Sequence, residues 1–197
     1  MDKKISTKIY IFQALAFAVC VFIDQWTKVL ARTYLIDDNG FKSVYIIKNV
    51  LCFHYLENRG SVWGILQGRI NFLLIVSLLL FVILAYVYYK IPKTAKYLTL
   101  LWIDVFMLAG AIGNTIDRIV FGYVTDFIYF EIINFPIFNF ADICITLAAG
   151  FTIVMILTRY KEEDFSFLSL KKKKASDPSE DISKEMTEKD GKSDIDN

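Results

Sequence analysis

The sequence predicts an all-α membrane protein with four transmembrane helices and a small β element outside the bilayer. Of its 197 residues, 55% are hydrophobic and the mean hydropathy is +0.44, above the average for soluble domains. Its apolar runs approach the roughly 20 residues that a helix needs to cross a bilayer. We predict spans at residues 9–28, 70–89, 97–115 and 137–158. After residue 160 the composition becomes strongly charged, which predicts a second, disordered segment.

Composition also limits the possible functions. The formal net charge is +1, so nothing in it indicates nucleic-acid binding. Three scattered cysteines give neither a disulfide framework nor a CxxC metal site. His54 is the only histidine, which excludes an HExxH metalloprotease and makes Ser-His-Asp catalysis depend on that one side chain.

The first apolar segment follows a short basic start, and a cleaved signal peptide would have the same pattern. Val19 is too large for the residue before a cleavage site, and three more spans follow, so we predict a transmembrane helix. Asp24 and Lys28 lie near its end. Their i,i+4 spacing, with the acid first, favours an ion pair. Spacing alone leaves open whether this is a surface pair or an anchor at the membrane edge.

The segment from Ser43 to Leu56 is rich in β-branched and aromatic residues, with Lys48 and Asn49 in the middle. It predicts two short strands joined by a turn, lying outside the bilayer. The following stretch, ENRGSVWGI, places Asn58 and Gly60 in a predicted tight loop.

The second span has no charged residue, whereas the third contains Asp104. We expect Asp104 to make a structural hydrogen bond with a polar group such as Gln13 on the first helix. The fourth span has Asp142 near its start, with Asn139 three residues earlier and therefore on the same helical face.

Basic residues near the helix ends predict the topology. They cluster at the N-terminus, between the second and third spans, and after the fourth span. The first long loop also contains basic residues and fits this rule less well. We expect both termini in the cytoplasm, with residues 161–197 as a cytoplasmic tail. The polar residues at the helix ends then meet at the outer face.

Ionisable residues at membrane depth are costly and indicate a functional site. Two neighbouring carboxyl groups, one protonated and one ionised, can activate a water and supply an acid. Asp126, after the third span, and Asp142, at the start of the fourth, are the candidates. Asp117 is the alternative to Asp126, although its neighbour Arg118 favours a structural ion pair that would keep Asp117 ionised.

The sequence resembles the lipoprotein signal peptidase (signal peptidase II) family over nearly the whole chain before the tail. The segment GNTIDRIVFGYVTDFI is similar to the family pattern GNxxDRxxxGxVxDF, and FNFAD is similar to FNxAD. DQWTK matches DxxxK, and NRGSVWG is similar to NxGxxFG with Trp63 in place of the usual Phe. The combination is specific, although no single motif is.

The resemblance implies a bacterial inner-membrane aspartic endopeptidase with an extracytoplasmic β-cradle. Such an enzyme removes the signal peptide of prolipoproteins before a diacylglyceryl-modified cysteine, at the outer membrane face. It implies a catalytic pair at Asp126 and Asp142, and supporting or substrate-binding residues at Asn114, Asp117, Arg118, Asn139, Asn58, Gly60, Asp24 and Lys28. It implies inhibition by globomycin and no metal or organic cofactor. We also expect membrane lipids as partners and a monomeric state.

Two other classes remain open on the residues alone. A small proton-coupled transporter would also use intramembrane acids, but would spread them through the bilayer depth, where only Asp104 lies. A structural membrane protein would tolerate the loss of either aspartate.

Overall fold

The structure is a computed structural model that describes residues 3–37, 40–60 and 69–168. Its long helices are α1 (Thr7–Tyr34), α2 (Ile70–Lys90), α3 (Leu98–Phe121) and α4 (Phe140–Thr158). All four are long and apolar enough to cross a membrane. The predicted four-span architecture is therefore confirmed, and the chain has the character of a multi-pass membrane protein.

Three helix ends differ from the predicted ones by more than two residues. Helix α1 continues past residue 28 to Tyr34, and α3 continues past residue 115 to Phe121. Polar residues interrupt the apolar pattern at both places, but they are buried against each other and the helices continue through them. Helix α3 ends at Gly122, whose φ of 73° is the left-handed conformation that glycine adopts without strain. Helix α4 begins at Phe140 rather than at 137, because Asn139 caps it.

A three-stranded antiparallel sheet lies beside the helix ends. Its strands are β3 (Ser43–Ile47), β4 (Leu51–Asn58) and β5 (Val124–Phe130), in that order, and a two-stranded β1–β2 ribbon (Ile36–Asp37 with Gly40–Phe41) precedes it. The two predicted strands are confirmed, and Asn49 makes the turn between them with a φ of 60°. Strand β5 and the ribbon were not predicted.

Helix α3 is the centre of the helical bundle and contacts each of the other three long helices. Glycines permit its closest approaches. A Cβ on Gly110 would lie 2.5 Å from the Ala141 carbonyl oxygen, and a Cβ on Gly113 would lie 2.5 Å from Asp24 Oδ2. The outer surfaces of α1, α2 and α4 expose large apolar side chains, as expected of helices that face lipid.

The predicted contact between Asp104 and Gln13 is not formed. Gln13 Oε1 instead accepts a hydrogen bond from the Tyr88 hydroxyl, at 2.8 Å. Asp104 Oδ2 is buried and makes no hydrogen bond within the described part of the chain. Tyr88 reaches Gln13 from α2, a neighbour that the spacing of α1 and α3 could not reveal.

After α4 the described chain continues as a 3-10 helix, Glu162–Leu168. Its Phe165 and Phe167 pack against the buried cluster around Tyr97. The first residues of the predicted tail form this 3-10 helix. The predicted domain boundary after residue 160 stays a prediction. Residues 169–197 lie outside the described residues.

Candidate active site

Two carboxyl groups, Asp126 on β5 and Asp142 in the first turn of α4, line the same cavity of about 890 Å³. The cavity extends from the end of β4 to the gap between α2 and α4, where Ser77 and Thr146 face it. The end near β4 and β5 is polar, and at the other end Leu80 and Leu147 line the cavity beside the hydroxyl groups of Ser77 and Thr146.

Asp126 is almost completely buried, with 1% of its surface exposed. Asn58 Nδ2 donates to its Oδ2 at 2.8 Å, and Asn139 Nδ2 donates to its Oδ1 at 2.6 Å. The pKa of Asp126 is raised to about 7: burial is the largest cause, the negative charge of Asp142 adds to it, and the hydrogen bonds from the two amides act in the lowering direction. This carboxyl group can hold a proton near neutral pH.

Asp142 is fixed by the start of its own helix. Its Oδ2 accepts from the backbone N–H of Asn139 at 3.1 Å, while Asn139 Oδ1 accepts from the Asp142 N–H at 3.1 Å, which is a reciprocal capping box. Asn114 Nδ2 donates to Asp142 Oδ1 at 2.8 Å. Asn139 therefore contacts both Asp126 and Asp142 and sets their relative position.

Lys28 is a fully buried cation that contacts three of the residues around Asp126 and Asp142. Its Nζ lies 2.9 Å from Asp24 Oδ2 and 3.5 Å from Asp117 Oδ2, and it donates to Asn114 Oδ1 at 2.9 Å. Of the two interpretations that spacing left open, a surface pair and an anchor, the structure therefore favours the anchor.

The two carboxylates bound to Lys28 each hold a backbone amide next to the candidate pair. Asp24 Oδ1 accepts from the N–H of Ala141, at 2.9 Å, and Asp117 Oδ2 accepts from the N–H of Thr125, at 2.8 Å. Ala141 and Thr125 are the residues directly before Asp142 and Asp126. A single lysine thus links the two backbone segments that carry the candidate carboxyl groups.

The expected ion pair between Asp117 and Arg118 is not formed. Consecutive helical residues point about 100° apart, so Asp117 faces α1 and lies 3.9 Å from Arg32 Nη1. Arg118 faces the cavity and donates from Nη1 to the Asn114 carbonyl at 3.3 Å. Asp117 is fully buried and does not line the cavity, which favours Asp126 over Asp117 as the partner of Asp142.

Two residues of this network were missed at the level of sequence. Arg32 donates to Thr125 Oγ1 at 2.6 Å and lies over the Phe121 ring at 4.3 Å. Gln25 Nε2 lies within hydrogen-bond distance of the Gly113 carbonyl and of the carboxylates of Asp24 and Asp117. Arg32 follows Lys28 by one helical turn, so extending the i,i+4 pattern would have found it.

The loop after β4 orients Asn58. The Gly60 N–H donates to Asn58 Oδ1 at 3.0 Å, which leaves the Asn58 amide nitrogen directed at Asp126. The predicted contributions of Ser61, Val62, Trp63 and Gly64 to this loop lie outside the described residues. Within residues 3–37, 40–60 and 69–168, no three or more His, Cys, Asp or Glu side chains are grouped as metal ligands.

Comparisons with known proteins agree on one family. A family model described as signal peptidase (SPase) II matches residues 16–158. A protein named lipoprotein signal peptidase from Caldanaerobacter subterraneus is 39% identical over 133 residues, covering 67% of this chain and 86% of that protein. One of the same name from Staphylococcus haemolyticus is 38% identical over 155 residues, covering 76% and 94%.

Solved structures agree with this match. A structure described as a bacterial membrane enzyme, solved by the in meso method at 2.3 Å resolution, is 31% identical to this chain, with a TM-score of 0.67. The alignment covers 88% of this chain and 99% of that one.

Proposed function

This chain belongs to the signal peptidase II family, and on that premise we propose that Asp126 and Asp142 are its catalytic pair. The protein is an aspartic-type peptidase that cleaves signal peptides from lipoproteins. The observation that supports this pair is the double contact of Asn139, which hydrogen-bonds to both carboxyl groups at one cavity. This assignment replaces the two alternatives, a proton-coupled transporter and a structural membrane protein.

The proposed reaction uses the two carboxyl groups in different protonation states. Asp142 is ionised and takes a proton from a water held between the two groups, because the N–H groups at the start of α4 favour a negative charge there. The hydroxide formed attacks the scissile carbonyl. Asp126 carries the other proton, polarises that carbonyl, and the proton ends on the leaving amine as the C–N bond breaks.

The cavity supports a substrate with a peptide part and a lipid part. We place the peptide near the polar end, where Asn58 and Arg118 line the wall. We place the diacylglyceryl chains at the apolar end, between Leu80 of α2 and Leu147 of α4. A diacylglyceryl cysteine in a prolipoprotein has both parts in this order.

We further propose the finer setting of the enzyme. Both termini lie in the cytoplasm, with residues 1–160 as the peptidase domain and residues 161–197 as a cytoplasmic tail. The site opens at the extracytoplasmic face of a bacterial cytoplasmic membrane, and the enzyme acts as a monomer. The asymmetry of basic residues at the helix ends supports the orientation. Globomycin is expected to inhibit cleavage by occupying the same cavity.

The test is cleavage of a diacylglyceryl-modified prolipoprotein by the purified protein. Asp126→Asn and Asp142→Asn should each abolish cleavage while the protein remains folded, because the amide keeps the size of the side chain and cannot transfer the proton. Asp104→Asn is the matched control: Asp104 is also buried, but does not line this cavity, so that variant should retain cleavage. Full activity of either Asp126→Asn or Asp142→Asn would refute the catalytic pair.

A further inference from the structure

The sheet has an edge strand whose side chains are apolar and exposed on both faces. All five residues of β3 are exposed, and its pairing with β4 has an irregularity between Tyr45 and Ile47. An antiparallel sheet commonly buries one of its faces against a core, but in β3 no residue is buried. Next to it, the 3-10 helix Glu131–Ile133 exposes Ile132 and Ile133, and the Tyr45 hydroxyl lies 3.5 Å from the Glu131 carboxylate. We name this surface the strand patch: Val44, Tyr45, Ile46, Ile47, Ile132 and Ile133.

The sheet is tied to the ends of three spanning helices. The Lys42 N–H donates to the carbonyl of Leu35, directly after α1, at 3.1 Å. Strand β5 begins three residues after the end of α3. Phe138, two residues before α4, pairs with Ile128 in the middle of β5. Three attachments of this kind hold the sheet against the ends of helices that are long and apolar enough to span a bilayer.

The direction of β3 follows from its exposure. Its five residues span about 16 Å at about 3.3 Å per residue. A strand rising from the membrane into water would be apolar only near its start, because exposed apolar patches on soluble surfaces are small. Here the last residue, Ile47, is 55% exposed. An apolar surface along the whole strand fits one that lies in the plane of the interface.

The charges at both ends of the strand fit the same environment. Lys42 precedes β3 and Lys48 follows it, and both are exposed. Lysines at the edge of an apolar surface can bind lipid phosphates while the neighbouring apolar groups enter the acyl boundary. Tyr45 adds an aromatic ring of the type enriched at membrane interfaces.

From these observations we propose that the strand patch is a lipid-binding surface. It inserts into the headgroup region of the leaflet on its side, with Lys42 and Lys48 bound to anionic phospholipid. The contact holds the sheet, and with it Asn58 of β4 and Asp126 of β5, at a fixed height over the membrane. The inference does not depend on which residues perform the cleavage.

The test places a nitroxide spin label at position 46 of the full-length protein, in a variant whose three native cysteines are replaced. The protein is reconstituted in nanodiscs of phosphatidylcholine with or without phosphatidylglycerol. Power saturation with oxygen and with a water-soluble nickel complex reports immersion depth. A label at Val82, which is exposed in the middle of α2, gives the accessibility expected of a lipid-immersed site, and a label at the C-terminal Asn197 gives the reference for a site outside the bilayer.

We expect the label at position 46 to be protected from nickel and accessible to oxygen, and more so with phosphatidylglycerol. Changing Lys42 and Lys48 to Gln should remove the dependence on phosphatidylglycerol. Nickel accessibility equal to that at Asn197 would overturn the proposal. Dipolar broadening between labels of two copies would also overturn it, since the occupant would then be a second molecule. Immersion without any effect of the lysine substitutions would refute the phosphate contact.

Discussion

Replacing Lys28 with Met tests whether one buried cation holds the site together. Methionine is unbranched and of similar length, so the substitution mainly removes the charge. In the wild type, Lys28 neutralises Asp24 at 2.9 Å and Asp117 at 3.5 Å, and all three side chains are at most 1% exposed. Removing one partner of a buried pair costs about 3–5 kcal/mol, because the remaining charge is left uncompensated. At about 2–4 °C per kcal/mol for a chain of this size, Tm should fall by about 6–20 °C.

The assay is thermal unfolding in detergent micelles, followed by tryptophan fluorescence. Arg59→Met is the matched control, because Arg59 pairs with Glu57 at 2.8 Å but is 62% exposed. Exposed pairs contribute little to stability, so Tm of that variant should scarcely change.

A double variant separates lost charge balance from lost packing. Lys28→Met combined with Asp24→Asn removes the cation and one of its two anions, so it should be more stable than the sum of the two single effects predicts. The reasoning is refuted if Lys28→Met lowers Tm no more than Arg59→Met does. It is also refuted if the two single effects simply add.

Three further predictions concern the candidate site. The raised pKa of Asp126 means that its proton is lost as pH rises through about 7, so kcat should fall above that pH. By the same linkage, the folded state should lose stability as the pH rises from the ordinary carboxyl pKa to about 7, and Asp126→Asn should reduce this loss. Asn139→Ala should lower kcat by about 100-fold with little change in KM, because both carboxyl groups lose their shared partner; steady-state cleavage in micelles checks this. Gly113→Ala should lower both Tm and activity, because the new Cβ would lie 2.5 Å from Asp24 Oδ2. Gly150→Ala is its control, since a Cβ there meets nothing within 4 Å, and equal losses in the two variants would refute the close-approach argument.

Much of the fold could be predicted because its signals are local. Apolar runs identified the four spans, and the β-branched segment around Asn49 identified a hairpin. Strand β5 could not be found in this way: its partners in β4 are distant in sequence, as in the pairing of Asn58 with Val124. Its sequence, VTDFIYF, has no clear alternation of polar and apolar residues.

The candidate site was also predictable only in part. The motifs named the residues that the structure brings together around Asp126 and Asp142. They could not give the pairing among them, because sequence adjacency suggested Arg118 as the partner of Asp117. Helical geometry instead turns Asp117 towards Lys28 and Arg32 on α1. Which charges meet depends on how two helices are rotated against each other, and no single-helix pattern contains that information.

The placement of these charges also bears on how the protein is made. Asp24 and Lys28 neutralise each other within α1, so this helix can enter the bilayer with the pair already formed. Asp117 belongs to α3, and both of its cationic contacts, Lys28 and Arg32, lie on α1. Since α1 is synthesised first, the cations are in place when the later helix arrives with its unpaired carboxylate. The order of translation therefore matches the order in which the charges can be neutralised, and a chain whose first and third helices fail to associate cannot assemble the proposed catalytic pair.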